Sequence, residues 1–257
     1  MIIVVMKNVS ILGCGWLGKE LGIALVKNGH TVKGSTTSKE KLQELESVAI
    51  APYLVDISKE HISSEFLNAD ILIIAITSKE VEDFKWLITS IEKSNITKVI
   101  FISATSVYPS INKEMTEEDE TVDSPLVEIE NLFRNNNKFQ TAIIRFAGLF
   151  GGERQPGNWF ANRKIPHPKG YVNMIHREDC IAIIQEIIEQ NVFGEVFNAC
   201  INHHPTREDF YINARKSLGK PIPEFDDSKL LEYKIISSEK LQKVLSYQFL
   251  HNDLLNI

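Results

Sequence analysis

The chain has 257 residues, 43% of them hydrophobic and 24% charged, enough to bury a sizeable core as one α/β domain or as such a domain with an appendage. Its net charge of −6 offers no broad basic footprint, so neither nucleic acid nor a membrane surface is expected as a partner. Three scattered cysteines, Cys14, Cys180 and Cys200, make no disulfide framework, and a reducing, cytoplasmic setting is expected.

The opening MIIVVM is far shorter than a membrane span and lacks the basic flank and cleavage site of a signal peptide. Residues 1–5 are either an extension ahead of a start at Met6 or part of a longer first strand. Val9 to Leu12 predicts that strand. Gly13-Cys14-Gly15-Trp16-Leu17-Gly18 follows it and opens an apolar-periodic helix over Leu17 to Val26, stopped by Asn28-Gly29. A strand, a GxGxxG turn and a helix in that order point to dinucleotide binding. The glycines permit a tight bend, close approach of a pyrophosphate and close packing of helix on strand, and the phosphates meet free N–H groups at the helix start.

A second strand from Thr31 exits through Gly34-Ser35-Thr36-Thr37. Ser38 is expected to cap a helix to about Glu46. Val48 to Val55 is a third strand, and a polar helix is expected from Ser58 to Ala69. Asp70 to Ile76 is a continuous apolar run suited to a strand buried on both faces, after which Ser78 caps another helix. Lys98 to Ser103 is a fifth strand, Ser124-Pro125 starts a helix, and Phe139 to Phe146 is a sixth strand. Further on come a helix from Arg177 to Gln190, a strand at Glu195 to Ala199, and a helix capped by Thr206. The alternation predicts a doubly wound parallel sheet, a Rossmann fold over residues 1–150. Residues 151–257 form a small substrate-binding region interleaved with the last helix and strand of the core, and ligands belong at the loops after the strands.

With these segments in place the chain resembles the extended short-chain dehydrogenases, the NAD(P)-dependent epimerase/dehydratase family, and within it a compact, atypical branch. The likeness rests on Ile11 to Gly18, Val55-Asp56-Ile57, Ile102 to Tyr108, Arg145 to Arg154, Asn173 to Asp179 and Ile236 to Leu241. The family usually writes GxxGxxG, where this chain has the GxGxxG spacing from Gly13. The resemblance implies catalysis by a tyrosine with a lysine four residues later, beside a serine or threonine. Here no tyrosine has that lysine: Tyr53, Tyr108, Tyr171, Tyr211, Tyr233 and Tyr247 are followed at that distance by Ile57, Asn112, Ile175, Arg215, Ser237 and His251. Where the family places the dyad, anchoring on Pro125 puts Leu126 and Glu130 at its two positions, anchoring on the later helical acid puts Val122 and Leu126 there, and the polarising hydroxyl maps onto Ala104. Ser103, Thr105 and Tyr108 remain as candidate catalytic groups, with Tyr108 a substitute proton donor.

The cofactor-binding set is Gly13, Cys14, Gly15, Trp16, Leu17 and Gly18, then Ser35, Thr36, Thr37 and Lys39 after the second strand, Asp56 and Ile57 after the third, and Ala75, Ile76 and Thr77 after the fourth. NAD sites place an acid on the ribose 2′-OH at the end of the second strand, and residues 34–39 hold none, so NADP is favoured, with NAD as the alternative. Asp56 resembles the family's contact to the adenine amino group. Arg154 is the candidate anchor for a substrate anion, and the resemblance adds Asn173 and His176 to the substrate side. No metal site is expected, because His176 with Cys180, and Cys200 with His203 and His204, match no ligand spacing.

The expected partner is a small polar or nucleotide-linked substrate, and a homodimer is compatible with the sequence. Two functions stay open: an oxidoreductase of epimerase/dehydratase type with altered or lost acid/base chemistry, and a non-catalytic NADP(H) sensor acting through a protein partner. A β-hydroxyacid dehydrogenase or pyrroline-carboxylate reductase also opens with GxGxxG, but its second half is all helical, whereas strands are expected here at Phe139 and Glu195.

Overall fold

A computed structural model describes residues 6–59, 62–161 and 163–256; residues 1–5, with their alternative readings, lie outside the described residues. In chain order the elements are β1 (Asn8–Leu12), α1 (Gly18–Lys27), β2 (Thr31–Thr36), α2 (Leu42–Glu46), β3 (Ala51–Leu54), β4 (Ile71–Ile74), α3 (Val81–Glu92), β5 (Lys98–Ala104), β6 (Glu114–Met115), α4 (Pro125–Arg134) and β7 (Gln140–Phe146). They continue with β8 (Gly148–Phe150), β9 (Ile165–Pro166), β10 (Met174–His176), α5 (Arg177–Glu189), β11 (Val196–Ala199), α6 (Arg207–Ser217), β12 (Phe225–Asp226), β13 (Ile235–Ile236) and α7 (Glu239–Leu245). Seven strands form one parallel sheet in the order β11-β7-β5-β4-β1-β2-β3, the doubly wound Rossmann arrangement expected from the alternating pattern. Chain direction across the sheet reverses between β1 and β4, where Val9 pairs with Ile71 and Leu12 with Ile74. That reversal opens the crevice in which such folds take their ligands.

The chain divides into two compact units, each assembled from separate stretches. The first comprises Met1–Ser103, Asp123–Ile144 and Ile183–Val196. Its core sets Leu72 and Ile74 of β4 and Val99 and Phe101 of β5 against Phe84, Leu87 and Ile91 of α3 and Ile129 and Phe133 of α4. Phe101 stacks on Phe133 with ring centroids 5.0 Å apart, and Phe84 meets Phe101 edge-on at 5.9 Å, a geometry that favours aromatic pairs beyond their area. All four residues of β4 are buried, which explains its unbroken apolar run. The second unit comprises Ala104–Val122, Arg145–Ala182 and Phe197–Ile257. Its core gathers Phe150, Ile165, Val172, Met174, Ile201, Phe210, Tyr211 and Leu254. Three two-stranded parallel pairs, β8 with β10, β9 with β12 and β6 with β13, knit its segments together.

Several expected local structures differ. The stretch after Ser58 forms turns and no helix among its described residues. Asp56 Oδ1 accepts from both the N–H and the hydroxyl of Ser58, an Asx turn that competes with helix initiation, and Phe66 and Leu67 are buried without helical periodicity. Ser38 does not cap a helix. Its hydroxyl donates to Glu40 at 2.5 Å, and a single 3-10 turn over Lys39–Lys41 precedes α2. Ser78 likewise lies ahead of α3, whose start is at Val81 and has no side-chain cap. The third strand is shorter than expected because Ala49, at φ +60°, turns the chain just before it. Ser124 and Thr206 do cap their helices, accepting from the N–H groups of Val127 and Asp209.

Candidate functional site

The turn after β1 is built by geometry that only glycine satisfies at two places. Gly13 has φ +99°, and a Cβ there would lie 2.6 Å from Ile76 Cγ2 and 2.7 Å from the Ala75 carbonyl oxygen. At Gly18 a Cβ would fall 2.2 Å from the Gly13 carbonyl oxygen. These contacts press the exit of β4 and the first turn of α1 against the bend, and Ala75 N–H donates to Leu12 C=O at 2.8 Å. Gly15 differs: it is exposed, and a Cβ on it would meet nothing within 4 Å. The backbone is therefore crowded on its protein side and open at Gly15. Leu17, at the N-cap of α1, supplies no side-chain cap, so no side chain there competes for the N–H groups of the first turn.

The floor of the turn is tied to β2. Cys14 N–H donates to Ser35 C=O at 2.7 Å, and Gly13 N–H donates to the Ser35 hydroxyl at 3.0 Å. Ser35 is 1% exposed, so this hydroxyl holds the glycine bend from below. The Cys14 thiol is buried beneath the turn, and burial pushes its pKa up to about 12, which makes it a packing group. Thr36 accepts from Ser38 N–H, while Thr37 and Lys39 are exposed. Glu40 is the group that sequence reading passed over. Its carboxylate, hydrogen-bonded to Ser38, stands just past the β2 exit, and that bond lowers its pKa. Asp56 is half-buried at the β3 exit, its pKa held down by the bonds from Ser58, and Ile57 is buried beside it. Ala75 and Ile76 are partly exposed beside Gly13, and Thr77 is exposed. Trp16 is partly exposed on the turn.

The hydroxyl candidates are enclosed. Ser103 donates to the fully buried Glu130 carboxylate at 2.5 Å, and Arg134 lies 3.7 Å from the other oxygen of that carboxylate. Glu130, which the Pro125 anchoring sets at the lysine position, serves as the acceptor for Ser103. Thr105 is buried in a 3-10 turn. Tyr108, in the second unit, is 2% exposed; its hydroxyl donates to Asn198 Oδ1 at 2.9 Å and accepts from Arg145 at 2.5 Å. Burial raises the Tyr108 pKa and outweighs the lowering by Arg145. Glu117 accepts from Asn198 N–H at 2.6 Å, and burial raises its pKa as well. Asn198 Nδ2 is buried with no hydrogen-bond partner among the described residues, leaving one open donor beside this network.

Of the residues expected on a substrate side, Arg154 is exposed at the end of a tight turn in which it exchanges backbone hydrogen bonds with Gly151. Asn173 uses both ends of its amide on the C-terminal segment, donating to Lys234 C=O and accepting from Ile236 N–H. His176 lies against His251 with the rings tilted at 42° and centroids 3.7 Å apart, and meets Phe150 edge-on. Its pKa is lowered, first by burial and then by His251. Cys180 and Cys200 are fully buried, with their pKa values raised by burial. No helix among the described residues is long and apolar enough to cross a membrane.

Residues 8–107 match a family model described as "NADP oxidoreductase coenzyme F420-dependent". The match ends after β5, so it spans the glycine turn and the first five sheet strands and none of the second half. A solved structure of a functionally unknown conserved protein from Silicibacter pomeroyi shares the fold at TM-score 0.82, with 17% identity over 98% of this chain and 96% of that one. The UDP-glucuronic acid 4-epimerase of Bacillus cereus, solved in complex with NAD, shares it at TM-score 0.78, with 18% identity over 96% of this chain and 95% of the other. Protein YeeZ of Escherichia coli K12 is 30% identical over 96% of this chain and 97% of its own length. The chain thus belongs to the YeeZ family, built on the Rossmann fold of the NAD-dependent epimerases and dehydratases.

Proposed function

We propose that this protein binds NADP(H) at the Gly13–Gly18 turn and carries out hydride chemistry on a small polar or nucleotide-linked substrate, without the tyrosine–lysine dyad. The observation that carries the reading is the turn itself, crowded at Gly13 and Gly18, open at Gly15, and followed by a helix start with no side-chain cap. Gly15 to Gly18 would hold the pyrophosphate, Asp56 would meet the adenine, and Thr36, Thr37 and Lys39 would face the 2′-phosphate. When bound, the nicotinamide supplies a hydride acceptor or donor. The fold's nucleotide-sugar epimerase in complex with NAD supports a nucleotide-linked substrate.

A second reading, a non-catalytic sensor, is favoured by the enclosure of Ser103 and Tyr108, whose hydroxyls are already bonded to protein partners. Absorbance at the nicotinamide band with a panel of sugar nucleotides and small carbonyl compounds separates the two. Turnover excludes the sensor; tight NADPH binding without turnover across the panel counts against the enzyme. Melting shifts with NADPH and NADH rank the cofactors, and a larger shift with NADH overturns the NADP assignment.

A further inference from the structure

Two imidazoles and a carboxylate meet within the second unit. One ligand atom from each of His176, Glu178 and His251 lies within 4.8 Å of the others. His251 Nε2 stands 2.8 Å from Glu178 Oε2, and His176 Nδ1 stands 3.8 Å from the same oxygen. Ligands on a tetrahedral zinc ion at ~2.1 Å are separated by ~3.4 Å, between these two distances. We propose that His176, Glu178 and His251 form a zinc-binding site, with water at the fourth position.

The surrounding structure prepares each ligand. His176 ends β10; a Cβ on Gly151 would lie 2.3 Å from its Nε2, so that edge abuts backbone and Nδ1 is the atom turned to Glu178. Phe150 packs edge-on against the same ring at 5.1 Å. Nδ1 accepts a long bond from Glu178 N–H at 3.3 Å, a contact that a metal bond would replace. Glu178 lies in the first turn of α5. His251 is 74 residues beyond Arg177, yet the buried Asp179 carboxylate accepts from its backbone N–H at 3.2 Å and holds it beside α5. Arg177, the nearby cation on the same helix, pairs with Glu153 at 3.5 Å. Exposures of 15% for the His176 side chain, 35% for His251 and 64% for Glu178 leave an approach from solvent. The donor set of two neutral nitrogens and one carboxylate oxygen suits zinc and disfavours calcium or magnesium, which take oxygen ligands. The ion would clip the C-terminal segment to the start of α5.

The test is zinc titration of tag-free, chelator-stripped full-length protein by calorimetry, with melting temperature read in parallel. One equivalent is expected to bind and to raise the melting temperature. His251→Gln and Glu178→Gln are each expected to weaken zinc at least ~100-fold and abolish the shift. His203→Gln, a control beside Asp253, is expected to bind zinc as the parent does. His251→Gln replaces a partly exposed side chain, and circular dichroism checks its fold. Absence of a stoichiometric zinc site in the parent, or equal affinity in folded His251→Gln, overturns the proposal.

Discussion

The buried carboxylate of Asp179 accepts the hydroxyl of Tyr247 at 2.7 Å, across 68 residues of chain. The same oxygen accepts from Leu250 N–H at 2.7 Å, and the other accepts from His251 N–H. One side chain at the start of α5 thus fixes the path of the C-terminal segment that carries His251.

Asp179→Asn tests that anchor. Both carboxylate oxygens face donors, so the new NH2 group must oppose a backbone N–H or the tyrosine hydroxyl, whichever way the amide is turned. A loss of ~1–3 kcal/mol is expected, with faster hydrogen exchange at residues 247–251. Zinc affinity is expected to fall about tenfold, because His251 loses its support. Unchanged exchange at 247–251 would refute the anchoring role.

The glycine turn separates a folding role from a binding role. Gly13→Ala places a methyl group against Ile76 and the Ala75 carbonyl at an unfavourable φ, and is expected to lower stability by ~2 kcal/mol or more. Gly15→Val adds its side chain to open space. It is expected to keep the parent melting temperature while weakening NADPH at least ~10-fold, measured by fluorescence titration. Undiminished NADPH binding in Gly15→Val would argue against the turn as the pyrophosphate site.

Glu40→Gln addresses cofactor choice. A carboxylate held by Ser38 just past the β2 exit opposes a 2′-phosphate, and its removal is expected to tighten NADPH roughly threefold relative to NADH. An unchanged preference, or a shift toward NADH, in paired titrations would remove Glu40 from the cofactor site.

Ser103 and Glu130 form a buried pair whose halves are unequal. Ser103→Ala removes a short hydrogen bond to a fully buried carboxylate and is expected to cost ~1–3 kcal/mol. In the Glu130→Gln background the same change is expected to cost less, and a double-mutant cycle in urea measures the coupling. Strict additivity would show that the short contact contributes nothing.

Acid should loosen the apo protein before its carboxylates titrate. His30 and His204 both have lowered pKa values, each chiefly through burial. His30 Nδ1 accepts from Lys7 N–H, a bond that protonation at that nitrogen destroys. Since the folded state binds the proton less well than the unfolded chain, stability is full above the unfolded value near 6.5 and falls as pH drops below it. Melting temperature is expected to fall by ~2–4 °C from pH 7 to 5.5, less so in His30→Gln. The raised pKa of Glu117 acts in the opposite sense. A flat profile would remove His30 and His204 from the account.

The sequence by itself determined the sheet and the turn. Hydrophobic runs of period two or unbroken apolarity mark β1, β4, β5 and β7, and the spacing of Gly13, Gly15 and Gly18 marks the bend, because these are local demands of backbone geometry and burial. It also determined that no tyrosine stands four residues before a lysine. Tertiary structure decided which polar groups are spoken for. Ser35 supports Gly13, Ser103 donates to Glu130, and Tyr108 lies between Arg145 and Asn198, pairings whose partners are 22, 27, 37 and 90 residues away. It likewise paired His176 with His251 instead of Cys180, four residues along. A hydrogen bond or a ligand set depends on where side-chain atoms meet in space, and nothing in local spacing encodes contacts that only the folded units create.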